Sequence, residues 1–588
     1  MCGIIGHIGK KMSSEVLLQG LKNLEYRGYD SAGIALKDKD VKIIKSVGKI
    51  VNLEDKVKKE KLDIYHIGIG HTRWATNGEV NIDNAHPHRY GKVTLVHNGI
   101  IENASILKES LINEGYNFSS DTDSEVVAVL IDKYLEEDII KTFNKVMSLL
   151  EGSYALGIII DDIDKLYVIK NKSPLVIGLG EDNYFASDVS AINEYTNQFI
   201  ILDDLEIAEL SDEVKVYKKD KLIEKKIETI LYNSENKSKN GYSYYMLKEI
   251  NEEPVLLEKV LLPYINDLNR LPDLDKYEEI HIVGCGSALY AGMIGKTLFE
   301  EKANTKTICE VASEYRYKNN IYNNKTLIIL ISQSGETADT IAALNLAKEK
   351  SIDTLAITNN PQSTIARNAS KTIYIEAGEE ISVATTKAYI LQVGILSLLS
   401  LKLAYSKKLI TNINKYLDEF KNVSKYVKNI IDNEKVYKDI AEKVSNCNNL
   451  FFIGRGIDYA ISLEGSLKLK EISYIHSEAY QAGELKHGTI SLIDENIPVI
   501  GIITDNNLAS KTMSNILEVK SRGAEVYIIT KKELKTNFEN EILVENNSSF
   551  TISLLVVPIL QLIAYYTALN RGCDIDKPKN LAKSVTVE

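Results

Sequence analysis

The chain is poor in the features that mark several common protein classes. Its 588 residues hold only five cysteines, Cys2, Cys285, Cys309, Cys447 and Cys573. They are odd in number, widely spread and never spaced as CxxC, which argues against a disulfide frame or a zinc site and for a reducing compartment. No basic run stands out and the net charge is −12, so nucleic acid is not the expected main partner. No apolar run approaches the roughly eighteen residues of a membrane span. The apolar stretch after Cys2 is broken by His7, Lys10 and Lys11, unlike a secretory leader. The expectation is a cytoplasmic protein with no membrane partner. Tryptophan is almost missing: Trp74 is the only one.

What is present is ordinary for a folded soluble chain, with 26% charged and 44% hydrophobic residues. The length suggests three or four domains. The first chemical signal is Met1-Cys2-Gly3-Ile4. Once the initiator is removed, Cys2 would carry a thiol and a free α-amine, and the amine can act as base for its own thiol. An α-amine pKa of about 7.7–8.0 and a thiol pKa of about 8.5 make that transfer workable near neutral pH. A small second residue is also common by accident, so Cys2 needs support from elsewhere.

Residues 1 to about 230 read as short β runs, at 41–44, 64–69, 93–96, 156–160, 165–169 and 176–179. Helical patterns at 15–24, 104–114 and 124–134 interrupt them, an α+β pattern. A polar stretch at 233–241 has the composition of a linker. From about 278, β runs at 280–283, 307–311, 327–331 and 354–358 alternate with helices, the rhythm of a parallel sheet. Ile282-Val283-Gly284-Cys285-Gly286 can be laid on Phe452-Ile453-Gly454-Arg455-Gly456, 170 positions on. This internal duplication predicts two doubly wound α/β subdomains, joined by helices around 388–433.

The first half gathers several loop motifs. His71-Thr72-Arg73-Trp74-Ala75-Thr76-Asn77-Gly78 follows a β run. Its arginine suits a carboxylate and its indole an apolar stem, although a surface turn with one aromatic anchor has the same composition. Val96-His97-Asn98-Gly99-Ile100 ends a strand; Asn-Gly is either an oxyanion hole or the common hairpin turn. Residues 120–125, SDTDSE, precede a helix, where one acid would be a cap and another free to hold an ammonium group. With Tyr26-Arg27-Gly28-Tyr29-Asp30-Ser31 and Asn84-Ala85-His86-Pro87-His88, these pieces have the order and rough spacing of class II glutamine amidotransferases. The resemblance implies an N-terminal-nucleophile αββα glutaminase domain over 2–230. It implies Cys2 as nucleophile, Asn98 and Gly99 as oxyanion donors, and Arg73, Trp74, Thr76 and Asp123 as glutamine-binding residues. Asn77 departs from the histidine usual there.

In the second half, Ser332-Gln333-Ser334-Gly335-Glu336-Thr337 joins a strand to a helix. Hydroxyls and a glycine at a helix start suit a phosphate, and a capped helix accounts for one or two of the hydroxyls. Gly284-Cys285-Gly286-Ser287 lacks the third glycine of a dinucleotide fingerprint. Glu464, Lys468 and Glu471 share one helical face, as in an ordinary surface stripe, but the helix follows a Gly-Arg-Gly strand end where α/β sites form. Glu484-Leu485-Lys486-His487-Gly488 offers a histidine able to move protons near neutral pH. These motifs resemble the sugar isomerase (SIS) domain pair, flavodoxin-like α/β units with parallel sheets.

Together the halves resemble the amidotransferase family that combines glutamine with fructose 6-phosphate. The resemblance implies SIS units at 268–410 and 437–578, a linker at 231–250 and a tail at 579–588 that reaches the active site. It implies Ser287, Ser332, Gln333, Ser334 and Thr337 on the phosphate, with Ala288 in place of a usual second hydroxyl, and Val383 and Thr385 beside the sugar. Lys583 would form a Schiff base, Glu471 and Lys468 would handle the C1–C2 proton, and His487 of a neighbouring subunit would open the ring. No cofactor and no metal are implied; a homodimer is. Purine or asparagine pathway amidotransferases are the nearest alternative, against which the paired SIS motifs speak. A sugar-phosphate sensor with a decayed glutaminase would not require Cys2, Glu471, His487 and Lys583. Deleting 583–588 is expected to abolish sugar amination and leave some glutamine hydrolysis; full synthesis by the truncated protein would refute this.

Overall fold

The computed structural model describes residues 2–60, 62, 65–75, 77–230 and 238–586. It divides into two compact units, Met1–Ser234 with Ser584–Glu588, and Glu235–Lys583. The linker expected at 231–250 lies partly outside the described residues, at 231–237, and its last part already belongs to the helix Tyr245–Asn266.

The first unit is built on two antiparallel sheets of eight and seven strands. Strand Gly3–Ile8 runs between Ile67–Arg73 and Asn183–Ala186 in the eight-stranded sheet. Side chains alternate across a strand, and the alternation sorts the core into layers. Ile4 and Ile69 meet Val96, Ala155 and Val168 of the other sheet. Ile5 faces away, toward helices Ser13–Leu24 and Ile50–Lys59. Leu95 and Leu156 face helices Asp123–Lys133 and Ile139–Met147 on the other side. The result is an αββα sandwich, as the resemblance implied.

The second unit holds two five-stranded parallel sheets of the same topology. The first has Glu279–Gly284 between Lys306–Val311 and Thr326–Ser332; the second has Asn449–Gly454 between His476–Gln481 and Pro498–Ile503. The repeat of 170 positions holds at the backbone level. Helices Ser287–Ala303 and Ile457–Ser473 both start after a glycine with positive φ, Gly286 at 56° and Gly456 at 55°. Both end on a left-handed residue, Asn304 and Tyr474.

One expectation needs correction. Two helices are long and apolar enough to cross a membrane, Lys387–Ser406 and Ile552–Asn570. Gln392, Ser397, Ser400, Gln561 and Thr567 break their apolar runs in sequence without exposing them. Their most apolar windows are 89% and 94% buried, so they serve as core helices of the second unit, in one apolar cluster with both sheets.

Phe185 is the clearest single support of the first unit. It has no exposed surface, and a Cβ on Gly6 or Gly157 would come within 1.9 or 2.1 Å of its ring. Those two glycines make room for it between the sheets. Phe185→Ala is expected to destabilise the first unit by about 3–5 kcal/mol, read as a lowered midpoint for its transition in denaturant.

Candidate functional site

In the first unit, Cys2 lies just before strand Gly3–Ile8, whose neighbour ends at Arg73. The Trp74 N–H donates to Cys2 Sγ at 3.4 Å, and Sγ is 3.5 Å from the Trp74 carbonyl. Burial pushes the thiol pKa up, while the Trp74 N–H and the Arg73 charge pull it down without winning. Asn98 Nδ2 donates to the Cys2 carbonyl at 3.0 Å. Its buried Oδ1 has no partner among the described residues.

The hairpin reading of Asn98-Gly99 fails. Both residues lie inside strand Val93–Ile101, paired with Gly152–Ile160 along its length. Gly99 is required by its backbone: φ is 138°, and a Cβ there would sit 1.9 Å from the Ser153 carbonyl. The side-chain amide of Asn98 is therefore fixed beside Cys2 by a sheet, not by a mobile turn.

Arg73 is buried and spends donors on the backbone: Nη1 on the Glu79 carbonyl at 3.1 Å, and Nη2 on Gly78 at 3.1 Å and on Asn77. Asn77 itself is exposed. The loop uses its carbonyl, so the departure from histidine changes no hydrogen bond to Arg73. Asp30 accepts from the Ala75 N–H at 2.9 Å, and Tyr29 packs edge-on to Trp74 with centroids 6.1 Å apart. Arg27 pairs with Asp188 at 2.7 Å and with the Tyr26 hydroxyl at 3.1 Å. Thr76 lies outside the described residues.

Of the acids at 120–125, Glu125 is the structural one, accepting from the N–H and hydroxyl groups of Ser119 and Ser120. Asp123 Oδ2 accepts from the Ile101 N–H at 2.8 Å, which ties it to the strand carrying Asn98. That strand's own His97 is buried with His71, His86 and His88, all with pKa values pushed down by burial. Ser124 Oγ lies 2.9 Å from both His86 Nε2 and His97 Nδ1, and His71 stacks on His86. Sequence reasoning used these histidines as family markers; the structure makes them neutral packing groups under Asn98.

In the second unit, the loop at 332–337 orders itself. Ser332 Oγ accepts from the Gly335 N–H at 3.0 Å and bonds Thr337 Oγ1 at 2.9 Å. Ser334 Oγ accepts from the Glu336 N–H at 3.2 Å, and the backbone of Gln333 receives the Asn359 N–H at 3.1 Å. Helix Ala338–Glu349 has no side-chain cap at Thr337, which leaves first-turn N–H groups for an anion. In the second copy, strand Pro498–Ile503 leads instead to Thr504, whose N–H donates to buried Asp458 at 2.8 Å and whose hydroxyl also bonds it. A built-in carboxylate occupies that strand end, and only the first copy keeps an open hydroxyl loop.

Ser287, buried at the first turn of its helix, donates to Glu464 at 3.0 Å and so is engaged within the protein. Lys468, wholly buried, lies 3.6 Å from Glu464 and 2.6 Å from Glu471. Burial pushes the Glu464 carboxyl up to about 8 against the pull of Lys468. The stripe expected on one helical face is real, but it faces inward. Ala288 is half-buried beside Ser287. His487 is exposed at the end of the 3₁₀ turn Glu484–His487. The Val383 N–H donates to the Asp576 carbonyl at 3.0 Å. Lys583 Nζ is 2.5 Å from Glu380 Oε2 and 3.5 Å from Thr385 Oγ1. Glu464 was read in its stripe without a role, and Glu380 was missing; no local pattern marks Glu380, because its partner is 203 positions away.

Comparison with known proteins gives two family models. The SIS domain matches residues 273–402 and 443–570, and the glutamine amidotransferase domain matches residues 79–194. The chain is 45% identical to a glutamine–fructose-6-phosphate aminotransferase (isomerizing) of Caldanaerobacter subterraneus subsp. tengcongensis, covering 100% of both chains. It is 43% identical to the enzyme of that name from Thermococcus kodakarensis, again over 100% of both. Among solved structures, the C-terminal domain of glucosamine-fructose-6-phosphate aminotransferase from Francisella tularensis has TM-score 0.56 and 37% identity. That match covers 58% of this chain and 99% of the other.

Asp458 gives a pH test. Burial lifts its carboxyl from 3.8 to about 7, against hydrogen bonds from Thr504. A folded pKa above the unfolded one stabilises fully below the unfolded value, and that stability is lost as pH rises through the folded value. The second unit is therefore expected to lose stability between pH about 4 and 7, and Asp458→Asn to flatten that loss in thermal melts across the range.

Proposed function

The chain belongs to the family of isomerizing glutamine–fructose-6-phosphate aminotransferases, converting fructose 6-phosphate and glutamine to glucosamine 6-phosphate and glutamate, and we propose the residue roles that follow from this premise. The N-terminal glutamine amidotransferase domain releases ammonia and the two SIS domains use it. Domain limits are proposed at 2–230, 268–410 and 437–578, with the linker at 231–250 and the tail at 579–588.

Cys2, freed of Met1, attacks the side-chain amide carbon of glutamine. Asn98 Nδ2 and the Gly99 N–H receive the developing oxyanion, where preorganised donors contribute most. The C–N bond breaks, ammonia leaves, and water hydrolyses the thioester to glutamate. Arg73 binds the substrate carboxylate with donors not spent on the 77–79 backbone, and Asp123 its ammonium. Trp74 and Thr76 border the pocket, with Trp74 gating the ammonia path. The observation that carries this reading is the sheet-fixed amide of Asn98 beside the Cys2 main chain.

At the sugar site, Ser332, Gln333, Ser334 and Thr337 hold the phosphate at an uncapped helix start, with Ser287 nearby. Val383 and Thr385 line the sugar. Lys583 forms a Schiff base at C2, Glu471 moves the proton between C1 and C2, and Lys468 supports it. His487 is exposed in its own chain, which suits ring opening across a homodimer interface. Ammonia is nucleophilic only while neutral, so excluding water favours its use. A cytoplasmic location is part of this proposal.

Purified protein given glutamine and fructose 6-phosphate is expected to yield glutamate and glucosamine 6-phosphate. Cys2→Ala is expected to lose glutamine-dependent synthesis altogether. Retained synthesis in that variant, or an intact initiator methionine on active protein, would overturn the nucleophile assignment.

A further inference from the structure

We propose that Glu380 is a positioning residue of the sugar site: its carboxylate aims the Lys583 nitrogen and relays protons from it while the imine forms. The inference rests on the reading of Lys583 as the Schiff-base lysine.

Glu380 has no exposed side-chain surface and Lys583 only 5%. The two oxygens of Glu380 have separate duties. Oε1 accepts from the N–H groups of Thr386 and Ala388, at 3.0 and 3.1 Å, at the start of helix Lys387–Ser406. Oε2 faces Lys583 alone among the described residues, at 2.5 Å. The helix end fixes the carboxylate, and the carboxylate fixes the amine against Thr385. Lys583 and the helix-end N–H groups hold the Glu380 carboxyl below its ordinary pKa despite burial.

Other charged groups surround the pair. Glu249, on helix Tyr245–Asn266, accepts from the N–H groups of Ile381 and Ser382, and burial and Glu380 push it up to about 8. Glu253 of the same helix is wholly buried and also pushed up. Lys387 is paired with Glu252 at 2.7 Å, and Lys468 approaches from helix Ile457–Ser473. Lys583 thus favours the charge on Glu380, while burial and Glu380 disfavour it on Glu249.

The step balances. Lys583 nitrogen bonds to C2 of the open keto sugar, and the carbonyl π pair moves to oxygen. Two of the three ammonium protons travel to that oxygen through Glu380 Oε2 and leave with it as water. The third stays on the iminium. A cation faces Glu380 before and after.

Borohydride reduction of the full-length protein with fructose 6-phosphate, followed by peptide mass spectrometry, measures the imine at Lys583. Glu380→Gln keeps an oxygen for Thr386 and Ala388 and removes only the charge and the acceptor for Lys583. Trapping in E380Q is expected to fall about 100-fold at neutral pH, the scale of a lost acid–base group. It should recover toward lower pH, because an iminium without its counter-anion keeps its proton only in more acidic solution. Trapping in E380Q at the wild-type rate and pH dependence overturns the inference and leaves the lysine assignment intact. No adduct at Lys583 in the wild-type protein removes the lysine assignment and this inference with it. Should E380Q fail to fold, judged by circular dichroism, Glu380→Asp decides: partial trapping supports the role of the charge, and wild-type trapping with the carboxylate drawn back overturns it.

Discussion

Lys468 sits out of water between Glu464 and Glu471, and Lys583 out of water against Glu380. Removing one member of such a pair costs about 3–5 kcal/mol, because the other charge is left buried and alone. The second unit must therefore keep its helices in register so that each cation meets its anion. Glu464 reaches Ser287 of the preceding repeat, so the duplicated halves are joined through the same buried charges. Their chemical usefulness follows from the same constraint: a desolvated lysine or carboxyl responds strongly to a neighbouring charge.

The first unit reaches a comparable end with backbone geometry. Cys2, Arg73 and Asn98 lie on or next to strands whose positions are fixed by pairing to both sides. Gly99 lets the strand pass Ser153 where no side chain fits. The loop after Arg73 is held by its own arginine, through three carbonyls, and by Asp30 on Ala75. Burial disfavours the charged form of the histidines behind, which leaves Arg73 and Asp123 among the charges that act on the thiol.

Much of this architecture was readable from the residues. Apolar alternation located the strands at 93–96 and 156–160 within longer ones, and the shift of 170 positions matched the strand ends at 282–286 and 452–456 of two α/β subdomains. The failures have physical causes. Asn98-Gly99 has turn chemistry, yet pairing to Ala155 and Tyr154 on the next strand overrides local preference. The helix Lys387–Ser406 falls within the helical stretch expected at 388–433, whereas the core helix Ile552–Asn570 was masked by its interior glutamine and threonine. Glu380 carried no local signal because proximity to Lys583 is a product of folding. Asp458 meets Thr504 only once the second sheet has formed, so nothing local marked it as the carboxylate at that strand end.

Asp576 has a wider meaning for how this protein is assembled. Its carboxylate receives the N–H groups of Tyr245 and Met246 at 2.9 and 3.0 Å, with Lys239 at 3.6 Å. The entry and exit of the second unit are thereby clasped at one carboxylate, 331 positions apart along the chain. A unit closed on itself in this way holds its first helix and its last segment in one place, so its fold does not depend on leaving either end loose.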